Sequence, residues 1–125
     1  MVDEGETVLE SAIREFKEET GYTPQRQLPG FIPTVGYNSP WFGFENGKVF
    51  AFEIDKNHPD NQNPVQNLDL GELIDVKIIE DIDKGNPMEK VVALMKENNY
   101  AICTSLQQLI NGLQFALYFN NNLLS

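Results

Sequence analysis

The chain has 125 residues, 41% of them hydrophobic, and its nine Lys plus Arg stand against nineteen Asp plus Glu for a formal net charge of −10. That is one domain's worth of sequence with enough apolar content for a single core, and the acidic balance argues against loose binding to nucleic acid or to an anionic membrane surface. One cysteine, Cys103, and one histidine, His58, leave no material for a disulfide framework, a four-cysteine zinc site or a histidine-based triad.

Cys103 is expected in the core and His58 on the surface. No apolar run approaches the length of a bilayer span, and the acidic start lacks the basic-then-apolar layout of a signal peptide. A cytoplasmic location is the expectation.

Thr7 to Glu19 is the clearest helix. Thr7 can cap it, Glu10 completes a capping box, and Gly21 stops it. Val8, Leu9, Ala12, Ile13 and Phe16 form one apolar arc at about 100° per residue, and Glu15, Glu18 and Glu19 fall along its border. From Gln27 to Ile54 the pattern turns to Gly, Pro and aromatic residues. Lys48 to Ile54 is the best strand there, with Asn46-Gly47 as a turn before it and Trp41 to Glu45 as its hairpin partner. Trp41, Phe42, Phe44 and Tyr37 could stack on a base, but such aromatics more often cover a small core.

Asn57 to Asn67 is a polar loop and Leu73 to Ile79 a further strand. Pro87 to Glu97 reads as a helix with Met88, Val91, Val92 and Met95 inward. Ser105 to Phe119 reads as another, with Leu106, Leu109, Ile110, Leu113, Ala116 and Leu117 inward. The Asn-rich tail from Asn120 to Ser125 is expected to fray. There are no internal repeats and no interdomain linker.

Like charges three and four residues apart on a helix repel by roughly a few tenths of a kcal/mol each. Glu15, Glu18 and Glu19 therefore need a reason to sit together. One reason is simply a solvated acidic face, softened by Arg14 and Lys17. The other is a hard cation such as Mg²⁺, which takes one or two carboxylates, keeps several waters and bridges to substrate phosphates.

The spacing favours the second reading. Glu6, seven residues, then Arg14-Glu15-Phe16-Lys17-Glu18-Glu19-Thr20-Gly21-Tyr22 resembles the Nudix box. The family pattern is Gly, five residues, Glu, seven residues, Arg-Glu, an apolar residue, any residue, Glu-Glu, any residue, Gly and an apolar residue. Every position from Glu6 onward matches, while the opening Gly would fall one place before Met1. The natural start of the domain is accordingly expected upstream of Met1. Asp69 to Val76, with its Gly71-Glu72, and the closing helices are similar to the ADP-ribose pyrophosphatase and nucleotide-sugar diphosphatase branch.

This resemblance implies an α+β fold, an α/β/α sandwich with a mixed β-sheet whose first strands are missing, so that residues 1–125 form one partial Nudix domain with the box at about 1–22. It implies Glu15 and Glu19 as the principal Mg²⁺ ligands, with Mn²⁺ as a substitute. Glu18 would hold or share a further ion, Glu6 would lie near the metals, and Arg14 would orient the carboxylates by ion pairing. Glu72 is the candidate base. The reaction implied is attack of water on a nucleoside diphosphate linked to another group, giving a mononucleotide and a phosphorylated remainder. The partner implied is thus a small molecule, with a homodimer expected and neither nucleic acid nor membrane. The alternatives are a catalytically silent nucleotide- or protein-binding module of the same fold, or a hydrolase of a dinucleoside polyphosphate or a coenzyme diphosphate.

Overall fold

A computed structural model of the chain describes residues 2–28, 36–37 and 46–122, with backbone alone at 36–37, 46–47 and 122. The fold divides into two compact units, Met1–Val76 and Lys77–Ser125.

The first unit begins with α1 (Val8–Thr20). Its start is the expected capping box: Glu10 N–H donates to Thr7 Oγ1 at 3.2 Å and Thr7 N–H donates to Glu10 Oε2 at 2.7 Å. Its end is Gly21 in the left-handed region, φ 78°, with its N–H on the Lys17 carbonyl at 2.8 Å. The apolar arc is only partly covered. Ala12, Phe16 and Leu9 in its middle are half-buried, whereas Val8 and Ile13 at its two edges are exposed. The ladder facing it is narrow, and Phe16 meets Phe52 edge-on at 5.3 Å between centroids. The buried residue of α1 is Ser11, on the carboxylate side of the arc.

Short strands follow: β1 (Arg26–Gln27), β2 (Gly36–Tyr37), β3 (Asn46–Gly47) and β4 (Phe52–Glu53). They form two separate antiparallel pairs. β1 lies against β4 with Arg26 opposite Glu53, and β2 against β3 with Gly36 opposite Gly47. The expected strand over Lys48 to Ile54 therefore shortens to Phe52–Glu53, and its partner is β1. Asn46-Gly47 lies in a ladder and not in a turn, because a pairing with Gly36–Tyr37 overrides the local preference of the dipeptide. Trp41 to Glu45 lies outside the described residues. Leu73 to Ile79 belongs to no ladder among the described residues, and an alternating pattern makes a strand only where a neighbouring strand accepts its backbone bonds.

The polar loop is built around Asn61, which is almost fully buried in a 3-10 turn, Pro59–Asn61. Its Oδ1 accepts from Thr23 N–H at 2.7 Å, and its Nδ2 donates to the Thr23 and Asp55 carbonyls at 3.1 and 2.8 Å. A buried amide with its bonding groups satisfied in this way ties the loop to the segment after α1. His58 is half-buried rather than a plain surface residue, because its Nδ1 caps the same turn by accepting from Asp60 N–H.

The second unit pairs α2 (Pro87–Asn98) with α3 (Thr104–Asn122). Asn86 caps α2 by accepting from Glu89 N–H at 3.1 Å, Pro87 occupies its first turn, and Asn99 ends it at φ 55°. Val91, Ile110 and Pro87 are buried. Met88, Val92, Met95, Leu113 and Leu117 are half-buried, but Leu106, Leu109 and Ala116 of the expected inward face are exposed. Two packed helices cover one narrow stripe of each other and no more. Cys103, expected in the core, is exposed just ahead of α3. The tail stays helical through Asn122, and residues 123–125 lie outside the described residues. Among the described residues no helix is long and apolar enough to cross a membrane.

Three outcomes follow from the ends of α1. Thr7→Ala should lower stability by about 1 kcal/mol in urea denaturation at pH 7. Glu10's carboxyl is held below its ordinary 4.5 by the Thr7 N–H and then the Thr7 hydroxyl. Its contribution is thus present above that value and lost as pH falls through the lower folded value, so the advantage of wild type over Glu10→Ala should shrink in acid. Gly21→Ala should cost at least the roughly 1–2 kcal/mol of a left-handed non-glycine residue. It should cost more still, because a Cβ there would lie 2.5 Å from the Val65 nitrogen.

Candidate functional site

Arg14 sits on α1 with its guanidinium among carboxylates. Its Nε and Nη2 grip Glu6 as a two-pronged fork, at 2.9 Å to Oε1 and 3.1 Å to Oε2. Nη1 donates to Glu15 Oε1 at 3.0 Å and to Glu18 Oε2 at 3.1 Å. Nη2 also reaches the buried Ser11 hydroxyl at 3.5 Å and lies 3.6 Å from Asp3. The fork holds the Glu6 carboxyl down at about 2, helped by the Asp3 N–H, and Glu6 in turn raises the guanidinium beyond its already high ordinary value. Glu6 comes from the loop ahead of the helix and Glu15 and Glu18 from the helix itself. Arg14 therefore joins three of the expected site residues across two segments.

Glu19 stands apart from this hub. Partial burial, then the charges of Glu15, Glu72 and Glu18, push its carboxyl upward. Among the described residues neither Glu18 Oε1 nor the Glu19 carboxylate has a hydrogen-bonding partner. Glu72, the candidate base, is exposed on the loop after Gly71, and its Oε2 accepts from Asp69 N–H at 2.9 Å. Its field nonetheless reaches Glu19. Among the described residues no three His, Cys, Asp or Glu side chains converge as a ready-made metal cage. The donor set is instead carboxylate oxygen with surplus negative charge at Glu19, which suits a hard cation that takes one or two carboxylates and keeps its waters.

The last carbonyls of α1 do not point into solvent alone. Asn67 N–H donates to the Glu18 carbonyl at 2.7 Å, and Gln66 Nε2 donates to the Glu19 carbonyl at 2.6 Å. The Thr20 hydroxyl turns back to the Phe16 carbonyl at 2.6 Å. Residues 64–67 thus complete the C-terminal end of the helix and set where Glu18 and Glu19 stand. Sequence reasoning missed Asn61, Gln66 and Asn67. Their only signal was the density of amide side chains between Asn57 and Asn67, which marks a loop and does not say what it docks on. Trp41, Phe42, Phe44 and the side chain of Tyr37 lie outside the described residues.

Comparison with known proteins agrees with the motif. The model of the NUDIX domain matches residues 1–93. The chain is 34% identical over 122 residues to an uncharacterized Nudix hydrolase of Schizosaccharomyces pombe, covering 95% of this chain and 55% of that protein. It is 30% identical over 120 residues to an ADP-ribose pyrophosphatase of Saccharomyces cerevisiae, covering 96% of this chain and 49% of that protein. The chain thus spans about half the length of the curated relatives it matches. No solved structure matches it. With Glu6 joined through Arg14 to Glu15 and Glu18 of α1, and the family's domain matched from residue 1 to residue 93, the chain belongs to the Nudix family.

Proposed function

We propose that the chain carries the catalytic helix of a Nudix pyrophosphohydrolase that splits a nucleoside diphosphate linked to another moiety, ADP-ribose or a nucleotide sugar, into a mononucleotide and a phosphorylated remainder. The observation that carries this reading is the Arg14 hub, which draws Glu6, Glu15 and Glu18 together while Glu19 keeps a carboxylate of its own beside them. The name of the yeast relative supports the choice of ADP-ribose.

Mg²⁺, or Mn²⁺ in its place, would be held by Glu15 and Glu19, with Glu18 sharing and Glu6 nearby. When bound, the cation supplies Lewis-acid polarisation of phosphoryl oxygens and offsets the chain's charge of −10 toward an anionic substrate. Arg14 keeps the carboxylates of Glu15 and Glu18 oriented. Glu72 is the group to take a proton from the attacking water, at whichever carboxylate oxygen turns from Asp69 toward Glu19. In this reading residues 1–125 belong to one Nudix domain built on a mixed sheet between helices, working as a cytoplasmic homodimer.

The test is mass spectrometry of products after incubation with ADP-ribose, UDP-glucose or a dinucleoside polyphosphate, with and without Mg²⁺. A mononucleotide that forms only with the metal is expected, and Glu19→Gln should reduce it by about a hundredfold or more, the scale of losing a group that stabilises developing charge. No product from a sample that melts cooperatively would overturn hydrolysis in favour of a binding module. Without metal at pH 7 Glu19→Gln should also melt above wild type, because a carboxyl whose folded value is raised is costly to keep ionised at neutral pH.

Arg14→Gln should lower the melting temperature more than Arg26→Gln in parallel thermal scans. Arg26 makes one exposed pair with Glu53, and such pairs contribute little, whereas Arg14 leaves several carboxylates facing one another when it goes.

A further inference from the structure

The side-chain amide of Gln66 has two N–H bonds, and both are committed to backbone carbonyls in different segments. One goes to Glu19 at the end of α1, at 2.6 Å, and the other to Ile74 at 2.9 Å, two residues beyond Glu72. An amide nitrogen has two donors and no more, so the bridge uses its full capacity. The segment carrying Gln66 is itself seated on the helix end: Asn67 N–H is on the Glu18 carbonyl, and the backbone of Pro64 and Val65 lies within 2.8 Å of where a Gly21 Cβ would be. Glu19 and Glu72 are like charges close enough to act on each other. Two such groups on separate segments move apart unless the backbones beneath them are held.

We propose that Gln66 is a positioning residue that fastens the Glu72-bearing segment to the C-terminal turn of α1, so that Glu19 and Glu72 address one ligand. The consequence for ligand binding rests on the reading of these two glutamates as one site, given above. The fastening itself does not. A methionine at this position keeps the length of the side chain and removes both donors, and a glutamate keeps the shape and turns a carboxylate on two carbonyls.

Two measurements separate the parts. In a Cys103→Ser background, needed because Cys103 is exposed, a nitroxide on Leu73→Cys reads proximity through relaxation enhancement at the amides of Lys17 to Thr20. Gln66→Met should cut that enhancement at least by half while the circular dichroism of the helices is unchanged. Unchanged enhancement overturns the proposal. Mn²⁺ binding, followed by electron paramagnetic resonance, should then weaken by about 10–100-fold in Gln66→Met, the usual effect of losing a group behind a ligand.

Glu72→Gln should weaken Mn²⁺ binding in the native background and add nothing in Gln66→Met, because the carboxylate is already out of place. Effects that simply multiply, or an unaltered affinity despite lost proximity, overturn the positioning role. Failure of the wild-type chain to bind Mn²⁺ would instead sink the cation reading of the site, and the fastening would still be judged on relaxation enhancement alone.

Discussion

A single guanidinium sets the terms for the first unit. Arg14 faces Asp3, Glu6, Glu15 and Glu18, and each of its three nitrogens makes a short contact with a carboxylate oxygen. A lysine could offer charge there but not a planar fork that grips Glu6 with two nitrogens while a third spans Glu15 and Glu18. The side chains involved are about two-thirds or more covered, apart from Asp3, so their attraction is screened less than in an exposed pair. The loop ahead of α1 and the helix are thereby joined before any apolar contact is considered. This matters because the apolar arc of α1 is only half-covered.

The opposite end of α1 is held by different chemistry. Neutral amides from Gln66 and Asn67 meet the carbonyls of Glu18 and Glu19, and Asn61 anchors the same loop to the segment after the helix. Glu18 is therefore held by an ionic bond at its side chain and a neutral bond at its backbone, and Glu19 by a neutral bond at its backbone. That division leaves the carboxylate of Glu19 outside the Arg14 contacts while its main chain is fixed.

What the sequence discloses here follows the range of the interactions. The Thr7 cap, the Gly21 stop and the helix start at Pro87 depend on residues within a few positions of one another, and each is found where the spacing puts it. The ionic fork from Arg14 to Glu6 spans eight residues, and the family pattern, which puts Glu6 near the metals and has Arg14 orient the carboxylates, does not name the two as partners. Strand partners were not legible: β1 and β4 lie 25 or more residues apart along the chain, and nothing local in Phe52-Glu53 names Arg26-Gln27. The contacts of Gln66 fail for the same reason, since its partner Glu19 is 47 residues away. Burial was over-read in α1 and α3 because an apolar stripe states what a helix can cover, not how wide a neighbour it meets.

The contact at Gly21 couples one residue to the length of a distant loop. The atoms that crowd its missing Cβ are the main-chain N and C of Val65 and the C of Pro64. These atoms are common to every amino acid, so no side-chain replacement at either position creates room for a larger residue at 21. Compensation would have to come from a change in loop length, and such changes alter the register of Gln66 and Asn67 as well. The glycine and the length of the loop are thus sterically one unit, and a chain that changes one while keeping the other is not expected to retain this helix end.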